Sequence, residues 1–482
     1  MYSMSTKKTS LPGRVSLHLT GSKAVRTAAA ICSFILASSS PIAGWAAGGA
    51  SELSTEALPL QLKLVPGRTK PLLEFGDTFL GAGNISPGFT IPTGAVWQPN
   101  FLLWGSFRSA LNHIDDERVT GDEYLSEWAN RLDLFAQVSL SQTERIVVGV
   151  RTFDEDSGFA GYRFHPDEDW IDPEVDISVA FLEVNLAELF PGSTTEPGQS
   201  QRRNLDIDLS VGRQPIQFQG GTIINDLMDA VAITRNNISL LPGASNTRAS
   251  FVYAWNEVNR GNNKEDDDAT LYALFTESDF SISTVGFDLV VVESDTTGDG
   301  FYAGISAIQR LGKINTAFRL VHSEPTDGST VETTRGTILV SEASYSPAYT
   351  HNNLYANFFW AEDEFNSASR DFGTGGPLGL IGILYASVGL GNYPAPLGNN
   401  AIDSYGGALG YQMFSSNSRR QLILEAGART DTDHSERTHY AGGARFQQAM
   451  GNHFVFRLEG YVSELENFDS GWGVRTELLV KF

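Results

Sequence analysis

Apolar and polar side chains alternate along many stretches of this chain. In residues 204–211 aliphatic side chains interleave with two aspartates and a serine, and residues 128–140 and 474–482 repeat the pattern. A period of two places one kind of side chain on each face of a β-strand. No part of the chain beyond residue 47 approaches eighteen consecutive apolar residues, so a membrane helix is not expected. The pattern predicts an all-β protein.

Strand length and loop asymmetry favour a transmembrane antiparallel β-barrel over a soluble sandwich. Many alternating runs reach ten residues, as a strand tilted across a bilayer requires, whereas sandwich strands are shorter. Short connections alternate with long ones, which is typical of barrels with short periplasmic turns and long extracellular loops. The short connections are 141–144, 279–280, 312–313, 347–351, 414–419 and 450–452, and the long ones are 112–124, 154–174, 259–268, 324–333 and 363–401. Two further connections, 187–203 and 236–248, are longer than this rule prefers.

Eighteen strands are predicted for a barrel that occupies residues 99–482, with sixteen strands as the alternative. An even number suits a single-chain bacterial barrel. The predicted strands are 99–111, 128–140, 145–154, 175–186, 204–213, 228–236, 249–258, 269–278, 281–293, 300–311, 314–324, 334–346, 351–362, 402–413, 420–430, 437–449, 453–463 and 470–482.

The first 47 residues are predicted to be a signal peptide. Five basic and no acidic residues come with a short apolar run, and small residues follow up to Ala46 and Ala47, where we expect cleavage. Cys32, the only cysteine, lies inside the apolar run rather than at its end, which disfavours a lipoprotein. Residues 48–98 contain several prolines and are interpreted as a periplasmic lead-in, a partial plug or an extra strand pair.

The remaining chain is strongly acidic. Residues 48–482 keep all 57 acidic residues and 34 − 5 = 29 basic ones, a formal charge of −28. This charge argues against nucleic acid as a partner. The acidic residues cluster in the predicted outer loops without the spacing of a calcium-binding loop, so we expect solvated loops near the lipopolysaccharide and no metal or cofactor.

A barrel of this size leaves a water-filled lumen, which is lined by the polar phase of each strand. Charge is tolerated there and is costly on the lipid face. The predicted pore-lining residues are Arg131, Asp133, Arg145, Arg151, Asp206, Asp208, Arg213, Arg319, Glu425, Arg429, Arg445, Arg457, Glu459, Arg475 and Glu477. Inward arginines either select anions or are simply hydrated, and the sequence leaves both interpretations open.

Two segments of the chain resemble the alginate-export family of outer-membrane channels. They are residues 177–187 and residues 209–221, and the second contains Gly212, Arg213 and Gln214, the sharpest match. The resemblance implies an eighteen-stranded monomer whose electropositive constriction passes an anionic polysaccharide, with Arg213 at that constriction. Arg213 shares its phase with apolar Leu209 and Val211, so either a bulge at Gly212 redirects it or it lies above the apolar belt.

The sequence therefore predicts an outer-membrane channel, with polysaccharide export as the first hypothesis. A general diffusion porin and a structural barrel that houses a partner protein are the alternatives. Expected partners are outer-membrane lipid and lipopolysaccharide, periplasmic export proteins, and the barrel-assembly machinery, which would recognise the terminal Phe482. The histidines lie in no nucleophile or metal motif, so an enzyme is not expected. The Gly-rich segment 375–391 in the longest loop is expected to fold into the lumen or to cover its mouth.

Overall fold

The computed structural model describes residues 69–76, 87–121, 123–141, 143–153, 158–191, 206–239, 241–326, 332–371, 373–379, 381–415, 418–432, 437–466 and 470–482. The predicted signal peptide, and much of the predicted lead-in 48–98, lie outside these residues. The role proposed for the lead-in therefore stays a prediction.

Within the described part the chain forms twenty-four strands and little helix. The strands are β1 Leu73–Phe75, β2 Phe89–Thr90, β3 Val96–Trp97, β4 Asn100–Asp115, β5 Leu125–Ser139, β6 Arg145–Phe153, β7 Ala160–His165, β8 Asp169–Ile171, β9 Glu174–Asn185, β10 Ile207–Phe218, β11 Ile224–Arg235, β12 Asn246–Asn256, β13 Thr270–Asp279, β14 Ser283–Glu293, β15 Gly300–Leu311, β16 Ile314–Pro325, β17 Gly336–Tyr345, β18 Asn353–Phe365, β19 Ser369–Arg370, β20 Ala401–Ser415, β21 Arg420–Asp431, β22 Thr438–Met450, β23 Phe454–Leu465 and β24 Gly471–Lys481. The helices are α1 Glu117–Thr120 and α2 Leu186–Leu189, and Gln219–Gly221 forms a 3-10 turn.

Eighteen of these strands close into an antiparallel barrel. Each long strand pairs with the next one along the chain, and β24 pairs with β4, from Trp472 opposite Asp115 to Lys481 opposite Ser106. The prediction of eighteen strands is confirmed. The shorter strands β7, β8 and β19 were not predicted, because two- to six-residue segments carry too little alternation. β1, β2 and β3 lie within residues 48–98, for which an extra strand pair was one of the interpretations, and β2 pairs with β3 in a separate sheet.

The outer surface of the barrel is apolar. Trp128, Val211, Leu409, Val462 and Leu478 are examples of large apolar side chains that are 38–66% exposed on the outward phase of their strands. A closed barrel satisfies its backbone hydrogen bonds between strands and leaves no edge, so this surface can face lipid. The chain is thus a membrane-spanning barrel.

None of the helices in the described part of the chain is long and apolar enough to cross a membrane.

The tip of the β10–β11 hairpin leaves the wall and crosses the interior. Pairing of β10 with β9 ends at Arg213, and pairing of β11 with β12 ends at Asp229. Beyond these points Phe218 stacks on the inward ring of Phe275, with ring centroids 3.4 Å apart. The sequence predicted the strand to end at residue 213, which was wrong: β10 continues to Phe218, and its last residues pair only within the hairpin.

An apolar core fills one side of the interior. Inward side chains of β12–β18, such as Val290, Val321 and Ile338, are buried against Ile223 of the hairpin tip and Leu384 of the long loop. The sequence predicts a polar inward phase on every strand, which is wrong for this side of the barrel. Where the hairpin tip and the long loop cover these strands, both phases are apolar, because folded segments rather than water contact the inner face. Elsewhere on the same strands the inward phase stays polar, as at Asn315 and Asn357.

Candidate functional site

Six inward arginines lie on six adjacent strands on the other side of the interior, and we call them the arginine row. The strands are β22, β23, β24, β4, β5 and β6. The arginine row consists of Arg445, Arg457, Arg475, Arg108, Arg131 and Arg151. Strand register brings them together, since Arg108 lies opposite Arg131 and Arg457 lies opposite Glu477.

Three carboxylates are interleaved with the arginine row. Glu477 accepts from Arg108 (Nε to Oε1, 2.8 Å) and pairs with Arg475 (2.5 Å). Arg457 approaches the same carboxylate at 3.4 Å. Glu459 pairs with Arg445 at 2.7 Å. Asp133 pairs with Arg151 at 2.7 Å and with Arg131 at 3.2 Å. A fourth carboxylate, Asp371, which follows β19, lies 3.8 Å from Arg151. Six guanidinium groups against four carboxylates leave an excess of 6 − 4 = 2 positive charges in this part of the interior.

The members of the arginine row differ in their access to water. The side chains of Arg457 and Arg445 are 27% and 25% exposed, whereas Arg475 is 1% exposed between two carboxylates. A buried ion pair mainly holds the wall together. Arg457 and Arg445 are therefore the arginines best placed to meet a solute.

The long loop, residues 366–400, folds into the barrel and lies against the arginine row. Arg108 donates to the carbonyl oxygen of Val388 (3.2 Å) and Arg131 to that of Gly389 (2.8 Å). At the far end of the loop, Asn392 donates to Glu127 through its backbone N–H, 2.6 Å. Inward folding of the Gly-rich segment 375–391, which was one of the two arrangements expected, is what the structure shows.

Glu425 of β21 fixes the middle of this loop. Its two carboxylate oxygens accept the backbone N–H groups of Ile383 and Leu384, each at 3.0 Å, and the hydroxyl of Tyr355. Gly382 makes this approach feasible, because an added Cβ would lie 2.6 Å from a Glu425 oxygen and the φ of +81° disfavours other residues. Glu425 is thus an anchor of the loop.

A cavity of about 690 Å³ lies between the long loop and the end of the barrel that carries the short turns, which we call the turn end. Arg445, Arg457 and Arg475 line one part of it, and Gly382 and Val388 of the loop form part of its boundary. This volume falls within the range of about 300–1,000 Å³ that is typical of small-molecule sites. Arg445 and Arg457, the most exposed members of the arginine row, thus face a cavity whose volume suits a small solute.

The remaining predicted residues lie elsewhere on the wall. Arg319 pairs with Glu342, and Arg429 pairs with Asp431 (2.9 Å) and donates to Asn400 of the loop. Arg145 pairs with Glu183 at 2.6 Å near the turn end, where both side chains are accessible. Asp208 and Asp206, also at the turn end, accept from asparagine side chains. These residues do not join the arginine row.

The structure also leaves Arg213 outside the arginine row. Gly212 has a φ of +115°, yet Arg213 stays on the opposite face of β10 from the buried side chains of Gln214 and Ile216. Its guanidinium pairs with Asp229 (3.1 Å) and Glu257 (2.6 Å), where the hairpin separates from the wall. The irregular backbone at Gly212 therefore does not turn this side chain into the lumen.

Arg108 and Arg370 are among the interior arginines that sequence reasoning missed. Arg108 follows a run in which both phases are apolar, Phe101–Trp104, so its phase could not be assigned. Arg370, in the loop, is fully buried and donates to Gly221 of the hairpin tip (2.6 Å) and to Gly375 (2.5 Å). Burial lowers the pKa of Arg370 to about 10, opposed by nearby Asp226, so it stays cationic at neutral pH and ties hairpin to loop.

Among the described residues no group of three or more histidine, cysteine or acidic side chains is arranged to hold a metal ion.

No known protein-family model matches the sequence, and no curated protein matches it either.

Solved structures with the same fold do exist among porins of Pseudomonas aeruginosa. OccK9 (OpdG) is similar with a TM-score of 0.55 and 11% identity, covering 79% of this chain and 98% of that one. OccK2 (OpdF) in complex with glucuronate gives a TM-score of 0.54 and 10% identity over 79% and 98% of the two chains. OccK11 (OpdR) gives 0.52 and 10% over 79% and 96%. At these identities the likeness shows the fold, an eighteen-stranded porin-type barrel. Together with the apolar outer surface, this fold places the chain in the outer membrane.

Proposed function

We propose that this chain is an outer-membrane channel for small anionic solutes. The observation that carries the proposal is the arginine row beside the cavity. Its six guanidinium groups outnumber their four carboxylate partners, and Arg457 and Arg445 are accessible. Rings and rows of inward arginine attract anions into a pore. In this proposal the arginine row lines the pathway, together with the other inward residues predicted from the sequence.

The infolded loop favours small solutes over a polysaccharide. It contacts β4 and β5 at Arg108, Arg131 and Glu127. Its Leu384 packs in the apolar core of β12–β18 on the other side, so the loop crosses the lumen. A polymer would need a continuous wide passage through this region. Glucuronate bound to OccK2 is a property of that porin, but it is a small carboxylate of the kind that the arginine row suits. Export of an anionic polysaccharide, which the resemblance to alginate exporters suggested, is therefore the less favoured function.

A structural barrel that houses a partner protein is also less favoured. The interior is occupied by the chain's own hairpin tip and long loop, which share an apolar core. A partner in the lumen would have to displace this core. The partners we propose are therefore the surrounding lipid and lipopolysaccharide, with the loop end outside the cell, and the assembly machinery at the C-terminal strand.

Proteoliposome swelling tests the proposal. The potassium salt of glucuronate should enter faster than neutral glucose of similar size, and uronate oligomers should enter more slowly as they lengthen and finally be excluded. Equal rates for glucuronate and glucose would contradict the anionic preference. Rapid entry of long oligomers would favour the polysaccharide hypothesis instead.

A further inference from the structure

Six carboxamide side chains line the cavity. Gln447 accepts a hydrogen bond from Arg457, and we call the other five the amide patch. The amide patch consists of Asn315, Asn353, Asn357, Gln412 and Gln421. Strand register groups them, since Asn353 lies opposite Gln412. Within the described part of the chain these side chains make no hydrogen bond, and their polar atoms are not sealed from the cavity. The amide patch therefore presents free donors and acceptors to whatever enters.

The amide patch is continuous with the arginine row. Gln421 lies opposite Gln447, which lies opposite Arg457 and accepts from its Nε at 2.7 Å. Across the adjacent strands, Gln412 lies opposite Ile423, which in turn lies opposite Arg445. Two strand spacings separate the Cα atoms of Gln412 and Arg445, about 10 Å, and both side chains point inward. One small solute can therefore reach both groups.

We infer that the amide patch binds the hydroxyl groups of a solute whose carboxylate is held by the arginine row, so that the channel prefers polyhydroxylated carboxylates. This inference rests on the proposed function. A carboxamide offers two N–H donors and an acceptor oxygen, which suits hydroxyl groups that both donate and accept. A surface arranged to hydrogen-bond hydroxyls discriminates against an analogue that lacks them, because its polar groups then lose their partners.

The cavity also contains features that work against this preference. Ile308, Ile383, Val388 and Ile423 contribute apolar surface to the same lining. An apolar carboxylate would contact these side chains favourably. The comparison between a hydroxylated and an apolar carboxylate therefore tests which part of the lining determines specificity.

The experiment measures block of the potassium chloride current through the full-length channel in planar bilayers. Gluconate and hexanoate are the probes, since both are six-carbon monocarboxylates and only gluconate carries hydroxyls along its chain. We expect gluconate to block half of the current at a roughly 10-fold lower concentration than hexanoate, as one or two additional hydrogen bonds would give. Equal block, or stronger block by hexanoate, would overturn the inference.

Variants assign the preference to the amide patch. In Gln412→Met, and more fully with Asn353→Leu added, gluconate and hexanoate should block within about 2-fold of each other, because size is kept and the hydrogen bonds are lost. The matched control is Gln137→Met: Gln137 also faces inward but already donates to Ser139 (2.7 Å) outside the cavity, so the preference should persist. Loss of the preference in the control, or its persistence in the double variant, would contradict the assignment.

The reversal potential under a salt gradient separates this inference from the proposed function. An anion-selective wild-type channel that blocks equally with both probes would refute the amide patch and leave the anion channel intact. A cation-selective channel would refute the proposed function itself. If the double variant does not fold, the wild-type comparison and Gln412→Met alone still decide.

Discussion

Replacing Glu425 by glutamine should loosen the loop across the lumen. The carboxylate of Glu425 accepts the backbone N–H groups of Ile383 and Leu384 at 3.0 Å each and the hydroxyl of Tyr355. A glutamine keeps one acceptor oxygen and places an NH₂ group against a backbone donor. At least one hydrogen bond to a charged group is lost, worth about 1.5–3 kcal/mol. The population with a detached loop should therefore rise by about 10- to 100-fold.

Single-channel recording measures this change. We expect Glu425→Gln to show more frequent transitions to higher conductance than the wild type, because the detached loop no longer narrows the lumen. Glu342→Gln is the matched control. It also removes one inward carboxylate, but Glu342 lines the cavity and pairs with Arg319 of the wall rather than with the loop.

Indistinguishable records from Glu425→Gln and the wild type would refute the anchoring role of Glu425. Equal effects in Glu425→Gln and Glu342→Gln would show that conductance depends on the loss of an inward negative charge and not on the loop anchor.

Three further outcomes are expected. Arg457→Gln should weaken chloride preference without lowering stability, since Arg457 is 27% exposed. Arg475→Leu should destabilise the barrel by about 3–5 kcal/mol, because it removes one partner from a buried ion pair. The temperature at which the folded gel band is lost compares the two variants, and equal stability would contradict the assignment. Protease added to intact cells should cut within 154–174 rather than 366–400, since the second loop is folded inside; early cleavage in 366–400 would contradict infolding. The unboiled protein should migrate differently from the boiled protein, and recovery from the periplasm without detergent would contradict the membrane barrel.

The barrel was predictable because its main determinant is local. Strict alternation and turn length identify each strand, and the eighteen strands of the structure are those predicted, with shifted ends. Phase alone placed five members of the arginine row on the inward side of their strands. That these residues line a conducting pathway stays a prediction.

The interior was less predictable because it depends on contacts between distant segments. The hairpin tip is held by a hydrogen bond from Arg370 to the carbonyl oxygen of Gly221, and these two residues are 149 positions apart in the chain. Arg108 joins the arginine row only once β24 closes against β4 and brings Glu477 to it. The inward apolar faces of β12–β18 have the same composition as lipid-facing ones, so alternation alone could not show that a folded loop covers them.

The most direct test of the account is the reversal potential of the wild-type channel under a potassium chloride gradient. Residues 48–482 carry a formal charge of −28, with acidic clusters in the loops. Charge in exposed loops is screened within about 8 Å at physiological salt, whereas the arginine row lies beside the cavity. If the arginine row governs selectivity, the reversal potential should report chloride preference. A reversal potential of the opposite sign, which reports potassium preference, would show that the carboxylates govern selectivity and would contradict the proposed anion channel.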